Sequence, residues 1–394
     1  MPLEKIKENI FFIGTIDWDR RLFDELIPLP DGTSYNSYLI KGSTKTVLID
    51  SSDPTKETEF FENLKNSGIK TIDYIIPNHA EQDHSGAITK LLELHPETKV
   101  VTNIKCKDML KDLLLIPEEK FVVVNDYETL SLGDKTLQFF LTPWVHWPET
   151  MVTYLKEDKI LFSCDFFGSH LATSDLFVTN ETKVYESAKR YYAEIMMPFR
   201  IPIRKNMEIV KKLDIDMIAP SHGPIYNKPK FILDAYSDWI SDSVKNEVIL
   251  PYISMHGSTQ KIVDYFVNEL INLGITVKPF NITKTDIGEL AISLVDAATI
   301  VLGTPTVLAG PHPVVAYVTI LTNALRPKTK FVSIIGSYGW GTKVVEQLSS
   351  MLSNLKTEIL QPVVIKGYPK EQDFVSLKNL ATQILQKHKE IKII

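Results

Sequence analysis

Cysteine is scarce: the 394-residue chain has two, Cys106 and Cys164, without paired spacing. That excludes a disulfide framework and any appended rubredoxin or iron–sulfur domain, which takes four thiolates. No apolar run approaches the ~20 residues of a membrane span. The first residues, Met1-Pro2-Leu3-Glu4-Lys5-Ile6-Lys7, lack the apolar core of a signal peptide. A cytoplasmic protein with no membrane partner is the expectation. A net charge of −6 with no basic cluster argues against nucleic acid. What is present is a globular balance, 44% hydrophobic and 23% charged, over a length that fits two domains.

The densest chemistry is Asn78-His79-Ala80-Glu81-Gln82-Asp83-His84-Ser85-Gly86, between an apolar run, Tyr74-Ile75-Ile76, and a helical pattern beginning at Ala87. Each of His79, Glu81, Asp83 and His84 can ligate a metal. Any one of them is more often a solvated loop residue; four together after a buried strand are not. Extended backbone throws alternate side chains the same way, so His79, Glu81 and Asp83 are expected to converge, with His84 turned to a neighbouring point. With no thiolate in the cluster a structural zinc site is disfavoured. Mixed imidazole and carboxylate donors suit zinc, iron or manganese.

Up to about Asp242 strands and helices alternate. Strand patterns include Ser37–Ile40, Thr46–Asp50, Phe121–Val124, Leu137–Leu141, Met151–Leu155 and Ile160–Phe162. Helical patterns fall at Glu57–Asn66, Ala87–Leu94 and Cys106–Leu115. Three more ligand candidates stand at strand ends: His146, in Trp144-Val145-His146-Trp147-Pro148; Asp165, after Leu161-Phe162; and His222, after Ile218-Ala219. Singly each is more often a capping or packing residue. His170, shortly after Asp165, is a candidate donor to a ligand, with a surface-loop residue as the equal alternative. Cys164 is expected to point away from Asp165. His95 and His388 are expected to be solvated, and Tyr185, Tyr191, Tyr192 and Phe199 to be packing in a helical stretch, Glu181–Leu213. Ser241–Asn246 is the expected linker.

From Glu247 the pattern changes to five strands alternating with helices, a doubly wound sheet whose ligands bind at the carboxyl ends of its strands. The first strand, Val248–Ile253, leads into Ser254-Met255-His256-Gly257-Ser258-Thr259 and a helix. Hydroxyls, a glycine and a helix N-terminus suit a phosphate monoester held by neutral donors; the bland alternative is an ordinary capped helix. Gly303-Thr304-Pro305-Thr306-Val307-Leu308 and Gly336-Ser337-Tyr338-Gly339-Trp340-Gly341 follow the third and fourth strands and can enclose a flat ring. Pro251, inside the first strand, is expected to mark a bulge or an early strand end.

His79-x-Glu81-x-Asp83-His84 resembles the metallo-β-lactamase motif His-x-His-x-Asp-His, with a glutamate at its second histidine. That replacement and the later His-Trp-Pro run resemble the flavodiiron proteins, or A-type flavoproteins. The phosphate loop and Gly-Ser-Tyr-Gly-Trp-Gly resemble that family's flavodoxin half. The resemblance covers nearly the whole chain. It implies an αββα metallo-β-lactamase-like sandwich over residues 1–246 and a five-stranded flavodoxin-like domain over 247–394. It implies two irons: His79, Glu81 and His146 on one, Asp83 and His222 on the other, with Asp165 as the bridge; the counterpart of His84 is a ligand to the second iron in some relatives and is turned away in others. Glu81, Asp165, Trp147 and His170 are the implied catalytic residues. FMN is implied at residues 254–259, at Thr304, Pro305, Thr306, Val307 and Leu308, and at Ser337, Tyr338, Gly339, Trp340 and Gly341. The implied function is reduction of dioxygen to water, of nitric oxide to nitrous oxide, or of both. Electrons come from a separate donor, rubredoxin or a reduced deazaflavin coenzyme. A head-to-tail homodimer, or a tetramer of two such dimers, is implied. The rival enzyme is a zinc thioester hydrolase with a fused flavodoxin, against which Glu81 stands. The rival outside catalysis is an electron carrier with a degenerate metal site.

Overall fold

The structure, a computed structural model, describes residues 4–394. It divides into two compact units, one running to Tyr192 and resuming over Phe199–Ile240, the other Ser241–Ile394 with Ala193–Pro198. The strand that opens the second unit starts at Lys245, inside the expected linker.

Two large sheets form the body of the first unit, beside two small two-stranded ones. One has seven strands in the order Glu4–Lys7, Ile10–Phe12, Tyr38–Lys41, Thr46–Ile49, Tyr74–Ile76, Lys99–Thr102, Phe121–Val123. The other has five: Thr129–Ser131, Thr136–Leu141, Met151–Leu155, Ile160–Phe162, Met217–Ala219. Consecutive residues of a strand face opposite sides, and here both sides are covered. Ile40, Val47, Ile49, Ile76 and Val101 meet Leu137, Phe139, Met151, Leu155 and Phe162 between the sheets. Their neighbours Leu39, Leu48, Ile75 and Val100 pack outward on Phe60, Leu64, Ile88, Leu91 and Leu110 of the helices Glu57–Asn66, Ile88–Leu94 and Ile104–Leu114. This is why the strands read as unbroken apolar runs rather than as alternation. Truncating Phe139 in that double layer to alanine costs roughly 3–5 kcal/mol. The strands end at one edge, where the loops holding the chemical residues begin.

The second unit is a parallel sheet ordered Thr276–Asn281, Lys245–Tyr252, Ala297–Val307, Phe331–Tyr338, with Glu358–Ile359 and Val363–Lys366 along the last. In chain order that is 2-1-3-4-5, the flavodoxin-like winding. Val248, Leu250 and Ile335 bury against Ile262 and Phe266 of helix Ser258–Asn272 and against Leu377, Leu380 and Ile384 of helix Glu371–Glu390.

Two expectations change. Pro251 neither ends nor bulges its strand: it pairs with Phe280 in an unbroken ladder to Thr276–Asn281. Its missing N–H shows on the other side, where the ladder to Ala297–Val307 has partners at Ile249 and Tyr252 and none at Leu250 or Pro251. His388 is buried, not solvated. Its Nδ1 lies 2.8 Å from Asn246 Oδ1 and its Nε2 2.8 Å from Thr299 Oγ1, so it ties the last helix to two strands. A lysine-rich sequence hides this because the lysines occupy the helix's other faces. No helix of the described residues is long and apolar enough to cross a membrane.

Candidate metal and flavin sites

Extended backbone after Tyr74–Ile76 carries His79 and Glu81, but it does not continue to Asp83 as expected. Gln82–Ser85 is one helical turn. Asp83 and His84 therefore sit side by side, His84 Nε2 3.0 Å from Asp83 Oδ2. The seven ligand candidates fall into two groups that share Asp165. Around Oδ2 of Asp165 lie His79 Nε2 at 3.0 Å and His146 Nε2 at 3.1 Å. Glu81 Oε2 lies 3.3 Å from the first nitrogen and 3.0 Å from the second. Around Oδ1 lie His84 Nε2 at 3.1 Å and His222 Nε2 at 3.5 Å. Asp83 Oδ2 lies 3.2 Å from His222 Nε2.

The donor chemistry fits cations. His84 Nε2 and His222 Nε2 face each other at 3.1 Å. Nδ1 of His222 is 2.7 Å from the Ser34 carbonyl and donates to it, which leaves Nε2 as a lone pair. Both oxygens of Asp83 and Oδ1 of Asp165 are buried without a well-formed hydrogen bond. Buried acceptors and lone pairs aimed at common points call for positive charge. Burial would raise Asp165, but the His79 and His84 charges hold its carboxyl well below the usual range. Burial likewise opposes ionisation of Glu81, and the hydrogen bonds of His146 and His79 outweigh it. Against burial, which lowers them, the facing carboxylates push His84 up to about 10 and His146 to about 9.

The surrounding residues hold this arrangement. Trp147 packs edge-on against His79, ring centroids 6.1 Å apart. His170 is buried, and its Nδ1 lies 2.9 Å from Thr33 Oγ1, which is 3.4 Å from His222 Nδ1. Burial keeps His170 well below the ordinary imidazole value, so it stands beside the site as a neutral ring. Cys164 does not point away as expected: the strand stops at Phe162, Cys164 takes a φ of 56°, and its thiol neighbours His79. Burial pushes that thiol far above its usual range, so it is a neutral neighbour. Tyr191, expected to be plain packing, has its ring 4.8 Å from that of His170 and 5.7 Å from that of His222.

Sequence reading missed two buried carboxylates. Asp50 accepts from the Asn78 backbone at 2.8 Å and from Ser221 Oγ at 3.2 Å, fixing the residues that precede His79 and His222. Glu149 Oε1 accepts from Ala80 N at 2.9 Å. Their signal was faint: Asp50 is one carboxylate at the end of an apolar strand, and Glu149 follows the His-Trp-Pro run without being a ligand candidate.

In the second unit a cavity of about 190 Å³ is lined by Met255, His256, Ser258, Thr259, Pro305, Thr306, Ser337, Tyr338, Gly339 and Gly367. Gly257, at φ 88°, precedes the helix and turns the loop; a side chain there is strained although the space is open. Ser254 Oγ accepts from Gln260 N, so it closes the loop from beneath. Thr304 donates to the Pro305 carbonyl and accepts from His312 N, so its hydroxyl is spent inside the protein. Val307 and Gly341 do not line the cavity; Leu308 and Trp340 stand out beside it, 92% and 85% exposed. Gly367 was not expected.

A paired imidazole–carboxylate centre in an αββα sandwich followed by a flavodoxin-like unit matches known proteins end to end. A family model described as "ODP family beta lactamase" matches residues 33–223. The anaerobic nitric oxide reductase flavorubredoxin of Escherichia coli is 35% identical over 383 residues, 94% of this chain and 79% of that protein. The chain belongs to the flavodiiron protein family. Among solved structures, the rubredoxin:oxygen oxidoreductase of Desulfovibrio gigas superposes with a TM-score of 0.94 at 28% identity, covering 98% of this chain and 99% of that one. The flavodiiron protein of Giardia intestinalis gives 0.90 at 25% identity, covering 99% and 97%. Flavodiiron proteins are oxidoreductases that carry a diiron centre and FMN, and both the two-cluster donor set and the loop cavity of this chain fit those groups.

Proposed function

We propose that this flavodiiron protein reduces dioxygen to water, nitric oxide to nitrous oxide, or both, and that the dimer is its working unit. The observation that carries the reading is Asp165, which offers one oxygen to each of two imidazole–carboxylate clusters. His79, Glu81 and His146 would hold one iron and Asp83, His84 and His222 the other, with Asp165 between the two groups. When bound, two ferrous ions and a reduced flavin supply the four electrons that dioxygen takes, or the two that couple two molecules of nitric oxide. The chain's own work is positional. Asp50 and Glu149 pin the ligand-bearing loops, Ser34 fixes the ring of His222, and Trp147 and Tyr191 wall the site.

The 254–259 loop would hold the phosphate of FMN, and Pro305, Thr306 and Tyr338 of the cavity, with Trp340 beside it, would hold the ring. Electrons reach it from a separate donor, rubredoxin or a reduced deazaflavin coenzyme, in the cytoplasm, where the two buried free cysteines stay reduced. Two copies pair head to tail, so that the flavin of one serves the diiron site of the other. Charge favours this pairing: residues 1–246 hold 29 basic and 38 acidic side chains, and residues 247–394 hold 14 basic and 11 acidic. An acidic unit of one copy thus meets a basic unit of the other.

The test is anaerobic turnover of iron- and FMN-loaded protein with each donor against each gas. Gas consumption with two irons and one FMN per chain supports the reading. Zinc with thioester hydrolysis after growth in iron-rich medium sinks it. Pairing is tested with a mixed dimer of Asp165→Ala and Gly257→Asp chains. Each homodimer is expected to be inactive and the mixed dimer active. No recovery in a sample shown to be mixed means that electrons pass within one chain.

A further inference from the structure

The metal cluster is open on one side, and a separate segment of the first unit reaches it. The side chains of His79, His84 and His222 are 0%, 0% and 1% exposed, whereas those of His146 and Glu81 are 13% and 12%. Small ligands therefore enter by the Glu81–His146 edge. The segment is a hairpin in which Leu22 pairs with Pro28 and Phe23 with Ile27. Phe23 is its buried anchor, with its ring 5.3 Å from that of His170 and 6.3 Å from that of His222.

Asp24 follows the anchor, at the tip of the hairpin, and is exposed. Its side chain has no hydrogen-bond or ion-pair partner among the described residues. The charges it meets belong to the ligand set. Partial burial raises its carboxyl, the Glu81 and Asp83 carboxylates raise it further, and His146 and then Arg20 oppose them. The tip is held in place: Leu26 N–H donates to the Phe23 carbonyl at 3.1 Å and Arg20 Nε to the Leu22 carbonyl at 2.7 Å. Asp24 and Glu25 take φ of 50° and 53°, backbone that glycine adopts without strain. A turn that suits glycine at both positions thus carries a carboxylate at both.

A charge fixed at an opening acts on what enters. The three carboxylates Glu81, Asp83 and Asp165 do not neutralise two iron cations, so a loaded centre draws small anions. Dioxygen and nitric oxide are uncharged. We propose that Asp24 is a specificity residue of this site: its carboxylate, held at the Glu81–His146 edge by the Phe23-anchored hairpin, repels small anions from the centre and lets the neutral gases pass. Arg20, beside the stem of the hairpin, offsets part of that charge. This role rests on the reading above that the cluster holds iron.

The test is anion binding by the oxidised, iron- and FMN-loaded protein, followed by the change in visible absorption on adding azide, with iron content measured in each variant. The azide dissociation constant of Asp24→Asn is expected to fall roughly three- to tenfold at low ionic strength, the scale of one unit charge acting across a wet opening. Fluoride, of the same charge and another shape, is expected to gain by a similar factor when it competes with azide. In about 1 M salt, where the screening length is about 3 Å, variant and parent are expected to converge. Asp24→Glu keeps the charge and is expected to bind azide like the parent. Arg20→Gln removes the offsetting charge and is expected to bind azide more weakly, which tests the role even if Asp24→Asn loses iron. An unchanged azide constant in Asp24→Asn, a gain that persists in high salt, or an equal gain in Glu25→Gln overturns the role of Asp24 and leaves the iron reading intact. Iron that takes up neither anion in the parent or any variant belongs to a centre closed by other means, and this too overturns it. A parent protein that holds zinc in place of iron overturns the reading on which the role rests.

Discussion

Asp50 closes on Asn78 with both of its oxygens: Oδ1 accepts the Asn78 backbone N–H at 2.8 Å and Oδ2 lies 3.3 Å from its side-chain amide. Oδ2 also takes the Ser221 hydroxyl. One buried carboxylate, which no cation need touch, thus sets the residues before His79 and His222.

Asp50→Ala is therefore expected to reduce iron content and to destabilise the first unit. Each buried donor left without its acceptor costs roughly 1–3 kcal/mol. Asp50→Asn keeps the shape and one acceptor oxygen and is expected to lose less. Metal analysis and thermal unfolding of the two variants check this. Wild-type iron content in Asp50→Ala would show that the loops hold their positions without it.

Asp165→Ala tests the shared carboxylate. Both irons are expected to leave, or to lose their magnetic coupling, with gas reduction abolished. FMN should stay, because its cavity is built from the second unit. Visible absorption for the flavin and Mössbauer or EPR spectra for the irons separate the two losses. Full activity in Asp165→Ala removes the bridge assignment.

Legibility in the sequence followed how local each signal was. The ligand types, the strand-to-loop contexts and the 2-1-3-4-5 alternation were visible because strands covered on both faces are long apolar runs and loops at their ends are polar. The helical turn at Gln82–Ser85 was not, since four residues offer no period to read, and it decides that Asp83 pairs with His84 rather than with His79 and Glu81. Asp50 and Glu149 act through contacts 28 and 69 residues away. His388 was misjudged for the same reason: composition reports a residue's neighbours in the chain, and its role comes from neighbours in space.

Protons and cations compete for the same ring nitrogens. Without metal, His84 at about 10 and His146 at about 9 stand above their unfolded value near 6.5. The folded metal-free protein then binds more protons than the unfolded chain between those limits. Their contribution to its stability is fully present below pH 6.5 and is lost as pH rises through 9 and 10. Iron replaces those protons, so the loaded protein should lack this slope and iron uptake should release protons. Thermal melts of both forms from pH 6 to 10, with proton release followed by a dye, check it. Parallel slopes for the two forms would show that these rings do not exchange protons for metal.

His388 gives the opposite slope in the other unit. Burial lowers it to about 4, below its unfolded value near 6.5. Around it stand Thr299 and Asn246, and the ring of Phe331 at 6.1 Å; none of these carries charge. The folded state keeps His388 neutral while the unfolded chain takes up a proton as pH falls below 6.5. The contribution is therefore complete above pH 6.5 and is lost as pH falls toward 4. His388→Gln can still reach one of the two partners and does not titrate. It is expected to unfold at lower temperature at pH 7.5, where the native pair of contacts is intact, and to close that gap with the parent as pH drops to 5. Flavin release on heating reports this unit separately from the metal-bearing one. A gap that stays constant from pH 7.5 to 5 would show that His388 is protonated alike in the folded and unfolded chain.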